Sequence, residues 1–304
     1  MKTRLLDLLA MSRFANLPTV WSNVLLGILL TPAGFQVSVF LSAALAISLL
    51  YLGGCFLNDA HDIDFDAKTR PDRPIPAGRF RQKSILQLAL LLCALGMGVV
   101  ATAGMWALLF ASLLFLSIVL YTLWHKKHPA SLIFMALSRA LIYPTVFLMG
   151  TEPELAFCAA PLLPAALMAS YIMGISLTAK GEVIRDRSPW PQRWGLFFLI
   201  LPALIYLSAW GAPLGPVLLL GLLLSFAITL ITCKKEIGKG VSVLLAGIPL
   251  TDFLSLSILL HQGLPLSLPS VTPAFDFFSL LPLFFLPLSL TGLSLLLQRL
   301  APAT

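Results

Sequence analysis

Residues 58 to 66 read Asn58-Asp59-Ala60-His61-Asp62-Ile63-Asp64-Phe65-Asp66, four carboxylates within nine positions. Such a cluster repels itself unless cations enter it. On a helix, Asn58, Asp62 and Asp66 recur every fourth residue and line one face. Asp59 lies about 100° round from Asn58, and Asp64 points elsewhere. Three or four oxygen ligands on one face suit a hard divalent cation. Mg²⁺ in particular keeps several waters and takes the rest of its shell from substrate phosphates. The pattern therefore points to a phosphate or diphosphate held through Mg²⁺. The next tract, Lys68-Thr69-Arg70-Pro71-Asp72-Arg73-Pro74-Ile75-Pro76-Ala77-Gly78-Arg79, supplies arginines, whose planar donor forks match phosphate oxygens. Its prolines hold the tract extended or turned. The same charges also serve as a topology signal.

The acidic cluster follows an almost uninterrupted apolar run, Phe40 to Leu57, about the length that crosses a bilayer. The carboxylates thus emerge at a membrane surface, where ionisable groups are functional by default. The 304 residues are 59% hydrophobic and 11% charged, and mean hydropathy is +0.95, which excludes an ordinary soluble domain. Apolar segments near 13–33, 38–57, 84–103, 106–124, 130–150, 156–177, 195–211, 214–232, 241–261 and 276–298 are candidate spans, nine or ten in all. The fold class is an all-α polytopic membrane protein, and residues 1–304 form a single domain. No basic segment with a small-residue cleavage site precedes the first span, so no cleaved signal peptide is expected.

The net charge of +7 does not imply nucleic acid, because the basic residues sort by loop. Lys2, Arg4 and Arg13 precede the first span. Lys68 to Lys83, Lys126 and Lys127, Lys180 to Arg193, Lys234 to Lys239, and Arg299 follow the even-numbered spans. The alternate connections near 31–37, 104–106, 151–155, 212–213 and 262–275 contain no Lys or Arg. By the positive-inside rule the amino terminus and the acidic loop face the cytoplasm. Cys55, Cys93, Cys158 and Cys233 are isolated, so they read as packing residues rather than metal ligands or disulfides.

Asn58-Asp59-x-x-Asp62-x-x-x-Asp66, followed by Arg70-Pro71-Asp72-Arg73-Pro74-Ile75-Pro76-x-Gly78, resembles the first aspartate-rich motif and loop of the UbiA superfamily of intramembrane prenyltransferases. The resemblance implies a helical bundle around a central cavity, with Mg²⁺ bridging the aspartates to a polyprenyl diphosphate. It also implies transfer of the prenyl group to a hydrophobic acceptor, aromatic or lipid. On this reading Asn58, Asp59, Asp62 and Asp66 hold the metal, and Arg70 and Arg73 contact the diphosphate. Tyr121 and Lys126 are similar to the family's tyrosine-plus-lysine segment, which meets the diphosphate. Asn23 resembles a polar position facing the family's active site, although a membrane asparagine also serves helix packing.

The second cytoplasmic loop departs from the family pattern. In one register Pro189 and Arg193 fall where two aspartates are expected. In the other, Glu182 and Asp186 form a surrogate pair of metal ligands at i and i+4, with Lys180, Arg185 and Arg193 as diphosphate contacts. A protein that binds or carries an isoprenoid or lipid without prenyl transfer is the alternative function. Two ionisable residues lie within spans, Arg139 in the fifth and Asp252 in the ninth. Each costs about 2.5–3.5 kcal/mol at a helix centre on insertion scales and so requires a partner. Either they pair with each other, or Arg139 reaches the diphosphate while Asp252 caps the kink at Pro249. No general base is identifiable.

Overall fold

In a computed structural model, residues 2–151, 159–180, 190–207, 237–261, 286 and 289–298 are described, and none of them forms a strand. A surface helix α1 (Lys2–Met11) leads into α2 (Leu17–Leu29). Pro18 sits at the start of α2, where a missing N–H costs nothing. Twelve of the thirteen α2 residues are buried, which makes α2 the centre of the bundle. Around it run α3 (Val37–His61), α4 (Ile63–Thr69), α5 (Gln82–Ala101) and α6 (Met105–Trp124). After these come α7 (Leu132–Ala140), α8 (Ile142–Met149), α9 (Leu162–Lys180) and α10 (Trp190–Leu207). The last described elements are α11 (Ile237–Ala246), α12 (Ile248–His261) and α13 (Ser289–Gln298).

Six segments among the described residues are long and apolar enough to cross a bilayer: Val37–His61, Gln82–Ala101, Met105–Trp124, Pro129–Met149, Leu162–Ala179 and Gly240–Leu259. The chain is a multi-pass integral membrane protein. Phe14–Leu29 and Ser289–Gln298 are shorter apolar helices, so the expected first span is cut back at both ends. The expected eighth span, 214–232, lies outside the described residues.

Two of the six segments are broken. Pro129–Met149 bends at Leu141, between α7 and α8. Pro144 lacks an N–H there, so one carbonyl in the preceding turn loses its helical partner. One residue on, the helical bond Thr145 N–H to Leu141 O is kept at 3.2 Å, and the Thr145 hydroxyl donates to the same carbonyl at 2.7 Å. Gly240–Leu259 breaks at Gly247, just before Ile248 and Pro249. Broken helices in membranes occur where backbone or side chains must turn toward a site.

The helices that hold the acidic cluster pack at glycines. A Cβ on Gly53 of α3 would lie 2.5 Å from Cys93 Sγ and 3.0 Å from Ala89 O of α5. One on Gly96 would lie 2.9 Å from Ala46 O. Small residues let the two backbones approach, the usual basis of helix association in lipid. Cys93 fills this seam, as expected of a packing residue. Gly96→Val forces α3 and α5 apart and costs about 1–3 kcal/mol, read as a lower unfolding midpoint in detergent. Gly98→Ala, whose Cβ meets nothing within 4 Å, leaves the midpoint unchanged or raises it; equal losses in both variants would contradict this packing.

Candidate functional site

The acidic cluster stays in helical register although α3 stops at His61. Asp62 joins α3 to α4 with φ −80° and ψ 4°. The backbone bonds Asp62 N–H to Asn58 O (3.0 Å), Asp66 N–H to Asp62 O (2.8 Å) and Arg70 N–H to Asp66 O (2.7 Å) run straight through the junction. Asn58, Asp59, Asp62 and Asp66 are therefore all buried on one side, with Asp62 4% and Asp66 3% exposed, while His61 and Asp64 face outward. Like charges four residues apart on a helix repel by about 0.2–0.5 kcal/mol even when exposed. Burial makes that repulsion worse, so partners are required.

The structure supplies a cation to each buried carboxylate. Arg73 Nη1 lies 2.7 Å from Asp66 Oδ2 and 3.6 Å from Asp59 Oδ1. Arg13 Nη2 approaches the same Asp59 oxygen to 3.5 Å. His125 Nε2 is 3.0 Å and Lys126 Nζ 3.4 Å from Asp62 Oδ2. The Lys126 ammonium also sits 3.9 Å above the ring of Phe65, a cation–π contact.

Each cation is carried by an element with a reason to be where it is. The loop after α4 is pinned by Ile75, which is buried with Met11, Phe56, Ala60, Ile85 and Ala89. Gly78 turns it with φ +74°, a conformation costly for other residues. Arg79 then ties the loop to α1 through Asp7 Oδ2 at 2.8 Å and donates to Asp72 O at 2.9 Å. Arg73 is thereby held over Asp66. Arg13 stands between α1 and α2 with φ +49°, uncommon for a side chain of its size. His125 caps α6 and stacks on Tyr121 one turn earlier, with centroids 5.0 Å apart.

His125 and Arg13 are site residues that sequence reasoning passed over. His125 Nδ1 faces the carbonyls of Tyr121 (3.2 Å) and Thr122 (3.1 Å), while Nε2 faces the Asp62 carboxylate. Both ring nitrogens thus lie within hydrogen-bond distance of oxygens. Burial acts most strongly on the Asp62 carboxyl and pushes its pKa up. The hydrogen bond and charge of His125, joined by Lys126, outweigh burial and hold the carboxyl below the usual carboxylate range.

The other expected residues divide. Tyr121 and Lys126 come to the cluster, but Arg70 is exposed and takes part in no ion pair among the described residues. Asn23 is not beside the cluster. It is fully buried, donating to Tyr143 Oη at 2.9 Å and Asp252 Oδ2 at 2.8 Å. Direct pairing of Arg139 with Asp252 is not found, because Asp252 is satisfied by Ser22, Asn23 and Tyr143. Glu182, Arg185 and Asp186, with Pro189, lie outside the described residues, as do the side chains of Lys180 and Arg193.

Among the described residues no three His, Cys, Asp or Glu side chains form a ready-made metal cage. The donor set nevertheless suits a hard cation. Asn58 Oδ1 and Asp59 Oδ1 are buried oxygens that accept no hydrogen bond, next to the carboxylates of Asp62 and Asp66. For Asn58 Oδ1 that state costs about 1–3 kcal/mol, which coordination would relieve, while Asp59 Oδ1 meets two guanidinium groups only at 3.5 and 3.6 Å.

The profile of the UbiA prenyltransferase family matches residues 17–187, more than half of the chain. A protoheme IX farnesyltransferase of Oceanobacillus iheyensis is 35% identical over 118 residues, 37% of this chain and 38% of that protein. A digeranylgeranylglyceryl phosphate synthase of Methanopyrus kandleri is 33% identical over 119 residues, 39% and 43% respectively. The matches thus span about two fifths of the length of these curated relatives. Among solved structures, a UbiA homologue of Aeropyrum pernix K1 superposes with TM-score 0.65 at 17% identity, covering 80% of this chain and 95% of that one. A UbiA homologue of Archaeoglobus fulgidus, described as bound to GPP and Mg²⁺, gives 0.50 at 16% identity and covers 95% and 98%.

The pH behaviour of Asp62 follows from its partners. Its folded-state pKa is lowered, so its contribution to stability is present above the ordinary carboxylate value and is lost as pH falls through the lowered value. His125→Ala removes the largest interactions that oppose burial and leaves only those of Lys126, so Asp62 then protonates at higher pH than in the wild type. Infrared carboxyl spectra, with Asp62→Asn subtracted to isolate this residue, measure the shift. Identical titration in both proteins would contradict the pairing.

Proposed function

The chain belongs to the UbiA prenyltransferase family, and on that premise we propose that it transfers a prenyl group from a polyprenyl diphosphate to a hydrophobic acceptor. The observation that carries this reading is the arrangement at the α3–α4 junction. Oxygen donors with unmet capacity lie buried on one face, under side chains that carry the opposite charge. Asn58, Asp59, Asp62 and Asp66 would hold Mg²⁺. Bound there, the ion supplies the charge that neutralises the leaving diphosphate.

The remaining work falls to the chain's own groups. Arg73, Lys126, His125 and Arg13 stand at the rim of the acidic face and can turn their N–H donors from carboxylates to phosphate oxygens. Arg73 brings a guanidinium fork suited to two oxygens at once, and Lys126 a mobile point charge. These donors stabilise the negative charge that builds on the bridging oxygen as the carbon–oxygen bond breaks and its electron pair moves to diphosphate. The allylic carbon left behind bonds to the acceptor's nucleophilic atom, which gives up a proton. The apolar bundle keeps water, a competing nucleophile, away from that carbon. Glu182 and Asp186 remain proposed ligands from the second loop, with Arg185 as a diphosphate contact.

The names of the relatives, a protoheme IX farnesyltransferase and a digeranylgeranylglyceryl phosphate synthase, support isoprenoid donors and large apolar acceptors. The loop charges support an amino terminus and acidic cluster on the cytoplasmic side. Purified wild-type protein is expected to release diphosphate from a prenyl diphosphate only with Mg²⁺, and EDTA should stop it. Asp62→Asn should lower the rate by more than about 100-fold, since even outer-shell partners of a metal are worth 10–100-fold. Undiminished release by Asp62→Asn in a folded sample would refute the assignment.

A further inference from the structure

On the side of α3 turned away from the metal site lies a small cavity. Leu57, Ala60 and His61 line it from α3, and Gln82 and Leu86 from the start of α5. Val119, Thr122 and Leu123 close it from the end of α6. At 100° per residue, the three α3 residues centre roughly 200° round the helix from Asn58, Asp59, Asp62 and Asp66. The body of α3 therefore separates the cavity from the acidic face. Its volume is about 180 Å³, below the roughly 300–1,000 Å³ that encloses a drug-sized ligand, so it takes in part of a larger molecule.

The lining is apolar with two exceptions. His61 and Gln82 stand exposed at the outer rim, where Gln82 Nε2 donates to Ala60 O at 2.9 Å and ties α5 to α3. Thr122 is 3% exposed, and its Oγ1 has no hydrogen-bond partner. A helical hydroxyl ordinarily turns back to a carbonyl of the preceding turn, as Ser117 of the same helix does to Leu113 O at 2.8 Å. Thr122 leaves a buried donor unspent in the wall of a cavity, which costs free energy until an acceptor arrives.

Depth and charge name the occupant. Leu86 and Leu123 are exposed on helices long and apolar enough to cross a bilayer, so the cavity opens toward lipid, and it does so where those helices meet the basic loops. Arg81 and Lys83 flank Gln82, and Lys127 follows Leu123 by one turn. All three are exposed, and none takes part in an ion pair among the described residues. No side chain caps the start of α5, and an open helix start favours a phosphate. Basic pockets between membrane helices take anionic headgroups. We infer that this cavity binds one anionic phospholipid of the surrounding leaflet. An acyl chain packs on Leu86 and Leu123, an ester carbonyl accepts from Thr122, and the phosphate meets Lys83 and Lys127.

Native mass spectrometry of the full chain, delipidated in detergent, tests the site with phosphatidylglycerol and phosphatidylcholine of identical oleoyl chains as probes. One phosphatidylglycerol is expected to bind at least about fivefold more tightly than phosphatidylcholine, the worth of one engaged cation. Lys83→Gln should reduce that preference and leave phosphatidylcholine binding unchanged. Leu86→Trp fills the cavity from an exposed position and should weaken phosphatidylglycerol binding about tenfold, the equivalent of roughly two buried methylenes. Leu95→Trp, exposed farther along α5, should leave it unchanged. Equal affinity for the two lipids, or phosphatidylglycerol binding that Leu86→Trp does not weaken or that Leu95→Trp weakens equally, overturns the inference. Where Leu86→Trp does not fold, Thr122→Val takes its place and should weaken both lipids alike; no loss there overturns the inference too. The measurement needs neither Mg²⁺ nor a prenyl diphosphate, so its outcome is independent of the prenyl-transfer reading.

Discussion

Carboxylates crowded on one helical face at a membrane surface must be neutralised, and much of this molecule is arranged to do so. Asp59, Asp62 and Asp66 are buried together, and Arg13, Arg73, His125 and Lys126 reach them from separate parts of the chain. These cations occupy the carboxylates without saturating the site, since Asn58 Oδ1 has no partner and Asp59 Oδ1 meets its two arginines only at 3.5 and 3.6 Å. A face with spare oxygens under mobile cations can exchange its internal ion pairs for a metal and a phosphate group.

The helices explain how these distant groups meet. α3 and α5 approach at Gly53 and Gly96, which places the loop between α4 and α5 directly beside the end of α3. Ile75 seats that loop in an apolar cluster, and Arg73 projects from it. α6 ends beside the same junction with His125 and Lys126. Below, α2 lies enclosed, and the two broken segments bring Arg139, Tyr143 and Asp252 to its polar side. The bundle thus has one polar layer at its surface and another in its interior, separated by about two helical turns of α3.

What could be read from the sequence was what periodicity carries. Recurrence at every fourth residue put Asn58, Asp62 and Asp66 on one face, and the helical bonding survives the Asp62 junction. Apolar length found the six described segments that are long and apolar enough to cross a bilayer. Arg13 and His125 were not legible as site residues, because their partners lie far away in sequence and each had a simpler local explanation as a topology charge or an interfacial ring. Of the two readings of Arg139 and Asp252, their direct pairing fails for a related reason. Two opposite charges at similar depth suggest a pair, but Ser22 and Tyr143, ordinary residues in an apolar helix, meet the needs of Asp252. Arg70 carried the motif's spacing yet points to solvent, since the turn after α4 brings Arg73 over the face.

The central claim is that the acidic face exchanges its internal cations for a metal-bound diphosphate. An experimental structure with Mn²⁺ and a non-hydrolysable geranyl diphosphate analogue tests it most directly, with anomalous scattering to locate the metal. Mn²⁺ is expected on oxygens of Asn58, Asp59, Asp62 and Asp66, with Arg73 and Lys126 turned from carboxylate to phosphate. Metal bound elsewhere, or Arg73 and Lys126 still closed on Asp66 and Asp62 with the analogue in place, would contradict it.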